Sequence, residues 1–122
     1  MENFFLLFGG LTFGFGLYLN YEKNKIHSQK ITPKVAKQFI SCGATVLDVR
    51  TPIERQVGYY NTSIHIPSSE ITEQKLSENG INKDTVIVTY CNSGTRARNA
   101  AIKLANMGYT NVYYIVETYK SL

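Results

Sequence analysis

Cys91 is followed at short range by residues that can change the chemistry of a thiol. In the stretch TYCNSGTRARNAA, residues 89–101, Gly94 lies three positions after Cys91 and Arg96 lies five positions after it. The apolar, β-branched stretch DTVIVTY before Cys91 predicts a buried strand, and RARNAAIKLANMG after it predicts a helix that ends before Gly108. The sequence therefore places Cys91 at a turn between a strand and a helix.

A turn of this kind can make a cysteine nucleophilic. Its consecutive backbone N–H groups and the positive end of the helix dipole both stabilise negative charge. Gly94 can adopt the positive φ that curls the loop, and the Arg96 guanidinium adds a positive charge. We expect these effects to bring the pKa of the Cys91 thiol below the usual value of about 8.5, which would make it a nucleophile at neutral pH.

The same loop would bind an anionic group such as a sulfonate, a phosphate or an arsenate, because its N–H groups point toward one centre. The alternative for a lone cysteine is a structural role, in which Cys91 is a small buried hydrophobic residue at the end of a strand. The glycine, the arginine, the preceding strand and the following helix together favour the functional interpretation.

Helical and strand patterns alternate along the region around this loop. The stretches PKVAKQFISCG, TPIERQVGYY and SEITEQKLSENG predict helices, whereas ATVLDV, SIHIP and NVYYIV predict strands. Thr32 and Pro33 give the first helix a capped start, and Thr51, Pro52 and Glu54 give the second a capping box. This alternation predicts an α/β fold with a parallel sheet flanked by helices on both faces.

A parallel sheet would bring further polar residues to the edge that carries Cys91. Ligands bind beyond the carboxyl ends of the strands in such sheets. Asp48 and Arg50 come at the end of the predicted strand ATVLDV, at the equivalent position to Cys91. We therefore expect Asp48 and Arg50 to converge on the same edge as the cysteine.

An apolar segment precedes the alternating region. Residues 3–21, NFFLLFGGLTFGFGLYLNY, contain no charge, and as a helix they would span about 28 Å, close to the roughly 30 Å core of a bilayer. No Lys or Arg precedes the segment and no small-residue cleavage site follows it, which favours a retained anchor over a signal peptide. The prediction is a transmembrane helix over 1–21, a polar linker over 22–30 and a domain over 31–122, although KIHSQKI at the end of the linker can also form a short edge strand.

Basic side chains follow the apolar segment and do not precede it: Lys23, Lys25, Lys30 and Lys34. The positive-inside rule then predicts a single-pass membrane protein with its carboxy-terminal domain in the cytoplasm, where reducing conditions keep Cys91 a thiol. Gly10 and Gly14 form a GxxxG pattern, which would permit a weak homodimer, although glycine is common in membrane helices in general.

The composition argues against several other classes of protein. The thirteen Lys and Arg residues give a net charge of +4 but are scattered, and the nine tyrosines do not interleave with a basic patch. No nucleic-acid partner is therefore expected. The two cysteines, Cys42 and Cys91, form neither a CxxC nor a Cys/His pattern, so we expect no metal, no disulfide framework and no cofactor.

The loop CNSGTR resembles the CxxGxR active-site loop of rhodanese-like sulfurtransferases. The stretch VLDVRTPIERQVGYYNTSIHIP is similar to the region that precedes this loop in the family, and MGYTNVYYI is similar to its glycine-aromatic turn before the last strand. The resemblance runs from about residue 31 to the end. Six positions match the upstream region one by one: Asp48, Arg50, Glu54, Gly58, Ile66 and Pro67.

This resemblance implies that Cys91 accepts a sulfane sulfur as a persulfide, with Arg96 as the second catalytic residue. A small anionic donor such as thiosulfate would supply the sulfur, and a thiol or cyanide would remove it. Asp48 and Arg50 would support the loop, and Glu54 would act as scaffold and helix cap. The anionic group of the donor would be held by Arg96 and the loop amides: Asn92, Ser93, Gly94 and Thr95.

The chain also departs from the family pattern at two places. Tyr59 and Thr62 stand where the family often has a histidine and a second glycine. Glu117 and Thr118 stand where it commonly has a Gly-Gly pair before a tryptophan. Because those glycines form a turn beside the active site, the departures bear on the shape of the pocket and the choice of substrate.

Two other functions compete with sulfur transfer. Many members of the family only bind partners, so a catalytically inactive binding or regulatory module at the membrane is one alternative, although such members typically lose the cysteine. The resemblance also implies a relation to phosphatases of the cell-cycle type, which share the fold. In those phosphatases the arginine lies six residues after the cysteine. Position 97 here is Ala, which argues against a phosphatase or an arsenate reductase.

Overall fold

The structure is a computed structural model of the chain and describes residues 29–122. The predicted transmembrane helix, the Gly10 and Gly14 pattern and most of the predicted linker lie outside the described residues. Over residues 29–122, none of the helices is both long enough and apolar enough to cross a bilayer.

A parallel sheet of four strands forms the centre of the described region, with the order β2-β1-β3-β4. The strands are β1 (Thr45–Asp48), β2 (Ile64–His65), β3 (Val86–Tyr90) and β4 (Asn111–Tyr114). The helices are α1 (Pro33–Ser41), α2 (Pro52–Val57), α3 (Glu73–Glu78) and α4 (Thr95–Asn106), with 3-10 turns at Ser68–Glu70 and Tyr119–Ser121. The predicted α/β class with a parallel sheet is thus confirmed.

Both faces of the sheet are buried because side chains alternate along each strand. Val46 and Val88 pack with Ala36 of α1 in the cluster on one face. Leu47 and Ile87 belong to the cluster on the other face, which includes α3 and α4. A strand that is buried on both faces needs apolar residues at successive positions, and the central strands β1 and β3 have them.

The predicted helix starts are present with their capping bonds. The Thr32 hydroxyl accepts a hydrogen bond from the Val35 N–H at 3.2 Å. In α2 the Thr51 hydroxyl accepts from the Glu54 N–H at 3.3 Å, and the Glu54 carboxylate accepts from the Thr51 N–H at 2.8 Å. These bonds satisfy N–H groups that a helix leaves without partners, so each helix begins at the residue that its cap specifies.

The stretch SEITEQKLSENG differs from its prediction, which was one short helix. The structure has a 3-10 turn at Ser68–Glu70, then extended backbone at Ile71, then α3 capped by the Thr72 hydroxyl. Ile71 is only 2% exposed and belongs to the core cluster. Burial of its side chain requires the chain to leave the helical path, and Thr72 provides a new start directly afterwards.

The end of the predicted linker pairs with the sheet. The Ile31 N–H donates to the Tyr114 carbonyl at 2.9 Å, and the Tyr114 N–H donates to the Gln29 carbonyl at 3.1 Å. Lys30 thus forms a parallel bridge with Tyr114 at the edge of β4. This bridge corresponds to the alternative interpretation of KIHSQKI as a short edge strand.

The position of Ile71 can be tested by truncation. Ile71→Ala should lower the free energy of unfolding by about 2–5 kcal/mol, because it removes a buried side chain and leaves a cavity. The matched change Ile53→Ala, at a side chain that is 75% exposed, should stay within about 0.5 kcal/mol. Urea denaturation of both variants checks this, and equal effects would contradict the core role of Ile71.

Candidate active site

Cys91 is the first residue after β3, and its sulfur lies inside the turn that leads into α4. The sulfur accepts hydrogen bonds from the Gly94 N–H at 3.0 Å and from the Ala97 N–H at 3.4 Å. Both donors belong to the first turn of the helix or to the residue before it. Two backbone N–H groups at the start of α4 are therefore directed at the sulfur.

Gly94 gives the loop its shape. Its φ is 94°, in the left-handed region, and it is the N-cap residue directly before α4. A Cβ at this position would lie 2.8 Å from the Cα and side chain of Val116. The loop therefore packs tightly under the carboxy-terminal segment, and the Cys91 side chain has no exposure to solvent.

Glu54 connects the loop to α2. The Arg96 guanidinium donates to both carboxylate oxygens of Glu54, at 2.7 and 2.8 Å. The Asn92 amide donates to the same carboxylate at 2.8 Å. Residues at the two ends of the loop are thus held by one side chain, in the bidentate geometry that gives arginine pairs their strength.

The contact between Glu54 and Arg96 was missed by sequence reasoning, which gave Glu54 the roles of scaffold and helix cap. Strands β1 and β3 are neighbours in the sheet, so the turns that follow them lie side by side. The strand order would have indicated this contact, because the helices that follow two neighbouring parallel strands begin close together.

These bonds change the acidity of Glu54. Hydrogen bonds from Arg96 first, and from Thr51 next, lower the pKa of the Glu54 carboxyl from 4.5 to about 2. The carboxylate therefore stays ionised throughout the neutral and mildly acidic range.

Asp48 is the centre of a buried polar network under the loop. Its carboxylate accepts hydrogen bonds from Arg50 at 3.0 and 2.9 Å, from the Tyr90 hydroxyl at 2.9 Å and from Arg55 at 3.2 Å. Burial raises the pKa of the Asp48 carboxyl, but the hydrogen bonds from Arg50 and Tyr90 outweigh it and leave the pKa below its ordinary value. A buried charge with this many donors is fixed in position.

Arg50 links this network to the loop. Its Nη2 donates to the Gly58 carbonyl at 2.7 Å, and its Nη1 makes long contacts with the Asn92 side chain at 3.4 Å and the Glu54 carbonyl at 3.5 Å. The guanidinium also lies over the Tyr119 ring, 5.1 Å from its centroid. Arg50 thus contacts Asp48 at the end of β1, the Glu54 carbonyl in α2 and the Tyr119 ring in the carboxy-terminal 3-10 turn.

The structure brings all the residues selected from the sequence to one edge of the sheet. Cys91 and Gly94 are buried, and Arg96 is partly buried against Glu54. Asp48 and Arg50 lie below the loop in the polar network. The remaining loop residues are exposed: Asn92, Ser93 and Thr95. Within residues 29–122, no three His, Cys, Asp or Glu residues are grouped to hold a metal ion.

A cavity of about 400 Å³ opens beside the loop, between α2 and the carboxy-terminal 3-10 turn. The Cys91 sulfur does not line this cavity, although its neighbour Asn92 does. Of the four positions that depart from the family pattern, Thr118 lines the cavity, whereas Tyr59, Thr62 and Glu117 do not. The lining consists of Arg50, Glu54, Val57, Gly58, Asn92 and 118–120.

The parallel sheet and the Cys91 loop agree with the match to a known protein family. The sequence model of the Rhodanese-like domain matches residues 32–121, which is most of the chain. The chain belongs to the rhodanese-like domain family.

Several named proteins are similar to this chain. It is 29% identical over 85 residues to the thiosulfate sulfurtransferase GlpE of Pseudomonas aeruginosa, covering 70% of this chain and 74% of that protein. It is 33% identical over 75 residues to the tRNA uridine(34) hydroxylase of Photorhabdus laumondii, covering 57% of this chain. The chain spans only 20% of the length of that hydroxylase.

Solved structures are similar in fold as well. A rhodanese-related protein from Thermoplasma volcanium matches with a TM-score of 0.61 and 27% identity, over 76% of this chain and 88% of that one. The reduced CoADR-RHD of Bacillus anthracis matches with a TM-score of 0.63 and 25% identity, over 78% of this chain and 16% of that one.

The Glu54 pair predicts a pH-dependent contribution to stability. Because the pKa of Glu54 falls from 4.5 to about 2 on folding, its contribution is complete above about pH 5 and is lost as the pH falls toward 2. Glu54→Gln should therefore cost about 1–2 kcal/mol near neutral pH, less than the full shift would give, because Arg96 is 34% exposed and solvent screens the pair.

Urea unfolding of both proteins between pH 2 and pH 7 measures this difference. Glu117→Gln, which removes an exposed carboxylate without an ion pair among the described residues, is the control and should show no such trend. A Glu54→Gln effect that is constant down to the lowest pH would contradict the ionic role of Glu54.

The packing of Gly94 against Val116 predicts a second difference. Gly94→Ala and Gly43→Ala both place a side chain at positive φ, 94° and 101°, which costs about 1–2 kcal/mol. Only the new Cβ at Gly94 meets another residue, since nothing lies within 4 Å at Gly43. Gly94→Ala should therefore be the more destabilising by about 1–3 kcal/mol in chemical denaturation, and equal costs would argue against the close contact.

Proposed function

We propose that this domain transfers sulfane sulfur through a persulfide on Cys91. The observation that carries the proposal is the Cys91 sulfur at the centre of a strand-to-helix turn, with the Gly94 and Ala97 N–H groups directed at it. The similarity to a protein named thiosulfate sulfurtransferase supports the same chemistry.

In the first half of the reaction, the Cys91 thiolate attacks the outer sulfur of thiosulfate. A new S–S bond forms to Cys91, the S–S bond of thiosulfate breaks, and sulfite leaves with the electron pair. The terminal sulfur of the persulfide carries the negative charge. The loop amides and the positive end of α4 would stabilise that charge where it develops.

In the second half, an acceptor thiolate attacks the terminal sulfur of the persulfide. The acceptor becomes a persulfide, and Cys91 leaves as the thiolate from which the cycle began. Cyanide can take the same sulfur in an assay and becomes thiocyanate. No electrons enter or leave over the cycle, so the reaction needs no redox cofactor.

Arg96 has two tasks in this proposal. Its charge favours an anionic donor near the loop, while its bidentate pair with Glu54 holds the start of α4 in place. Asn92, Ser93 and Thr95 are exposed residues of the loop, and their backbone amides would meet the donor. Asp48 and Arg50 would support the loop, and the bond between them and the contact of Arg50 with Asn92 are consistent with this role.

We also propose that the apolar segment 3–21 anchors the domain to a membrane, with the domain on the cytoplasmic side. The lysines that follow the segment support this orientation. A reducing compartment would keep Cys91 available for the cycle.

A binding role without catalysis is the second candidate function. The observation in its favour is the complete burial of the Cys91 side chain beneath the contact between Gly94 and Val116. A donor reaches the sulfur only if the loop or the segment over it shifts, whereas a binding module would need no such movement.

Intact mass of the full chain after incubation with thiosulfate tests the proposal. The natural protein and Cys42→Ser should each gain one sulfur atom that cyanide removes, because Cys42 is exposed and lies outside the loop. Cys91→Ser should gain nothing. No gain in any of the three would overturn sulfur transfer and leave the binding role, and a gain that persists in Cys91→Ser would move the chemistry away from this loop.

A further inference from the structure

We propose that the cavity between α2 and the carboxy-terminal turn binds the carboxylate of a small anionic thiol, with Arg50 and Lys120 as the residues that recognise it. The statement that this thiol is the sulfur acceptor rests on the proposed function. Binding of the anionic molecule itself does not depend on sulfur transfer.

Arg50 is the first reason for this assignment. It is 3% exposed and yet lines the cavity. Its Nε and Nη2 have short bonds to Asp48 and to the Gly58 carbonyl. Its Nη1 has only the contacts of 3.4 and 3.5 Å to Asn92 and Glu54, at the outer limit for a hydrogen bond.

Nη1 contacts two residues that line the cavity, Asn92 and Glu54, and both contacts are longer than the bond from Nη2 to the Gly58 carbonyl. Buried N–H groups in folded proteins have good partners in the great majority of cases. A carboxylate in the cavity would give Nη1 the short, charge-assisted bond that it lacks in the described residues.

The surrounding charge is the second reason. The carboxylates of Asp48 and Glu54 are already occupied by arginine donors. Lys120 is exposed, lines the cavity, and forms no ion pair with an acidic side chain of residues 29–122. The charged side chains that line the cavity are one carboxylate, Glu54, and two cations, Arg50 and Lys120, so the lining carries a net positive charge.

The size of the cavity indicates the class of molecule. A volume of about 400 Å³ lies within the roughly 300–1,000 Å³ typical of small-molecule sites, and thiosulfate would fill only a small part of it. Val57 and Tyr119 supply apolar wall, and the Tyr119 ring is held beneath Arg50. A thiol of short-peptide size, with its carboxylate at Arg50 and Lys120, would lie next to Asn92 and hence next to the Cys91 loop.

Calorimetric titration of the full chain, purified in a mild detergent, with S-methylglutathione tests the site. This thioether carries the carboxylates of a peptide thiol and cannot accept sulfur. We expect binding that weakens with added salt, because the attraction is ionic. The dimethyl ester of the same compound, which lacks the carboxylate charges, should not bind.

Lys120→Glu should weaken binding about tenfold or more, equivalent to about 1.4 kcal/mol. Lys103→Glu is the matched control, because Lys103 is also exposed but lies in the last turn of α4, and the variant has the same net charge. It should bind as the natural protein does. The side-chain N–H resonances of Arg50 should shift on binding, which tests its role without replacing a buried residue.

The outcomes separate this inference from the proposed function. Absence of binding to the natural protein, equal binding by Lys120→Glu, or equal binding of the ester would each overturn the site. Binding that is lost in Lys120→Glu would establish it even if thiosulfate leaves no sulfur on Cys91. If the chain forms a Cys91 persulfide but does not bind the thioether, the proposal of sulfur transfer stands and the proposal of the acceptor site is overturned.

Discussion

The buried carboxylate of Asp48 is the constraint on which the functional edge of the sheet depends. It has no solvent exposure, so its charge must be compensated by donors from the protein. Those donors come from three places in the fold, with Arg50 beyond β1, Arg55 in α2 and Tyr90 at the end of β3. Loss of one partner of a buried ion pair costs about 3–5 kcal/mol, so the elements that carry these donors are held in one relative position.

Side-chain contacts, rather than backbone pairing, connect the cysteine loop to this network. Arg50 reaches Asn92, and Glu54 binds both Asn92 and Arg96. The residues at the two ends of the loop are therefore fixed while the N–H groups of Gly94 and Ala97 remain directed at the sulfur. A preorganised set of donors needs such support, since N–H groups that are also mobile would stabilise a thiolate much less.

Local chemistry could be predicted from the sequence wherever one short stretch determines the outcome. The caps at Thr32 and Thr51, the strand-to-helix turn at Cys91 and the positive φ of Gly94 all depend on residues within a few positions of one another. The pair between Glu54 and Arg96 joins residues 42 positions apart and depends on the order of the strands. The break at Ile71 depends on what the core can accommodate, and no local pattern specifies that.

The close approach of Gly94 and Val116 links two positions that are far apart in the sequence. A side chain at the loop position would be accommodated only if the carboxy-terminal segment took another path or offered a smaller residue there. The effects of substitutions at the two positions therefore depend on each other. The carboxy-terminal segment thus restricts which residues the loop beside Cys91 can contain.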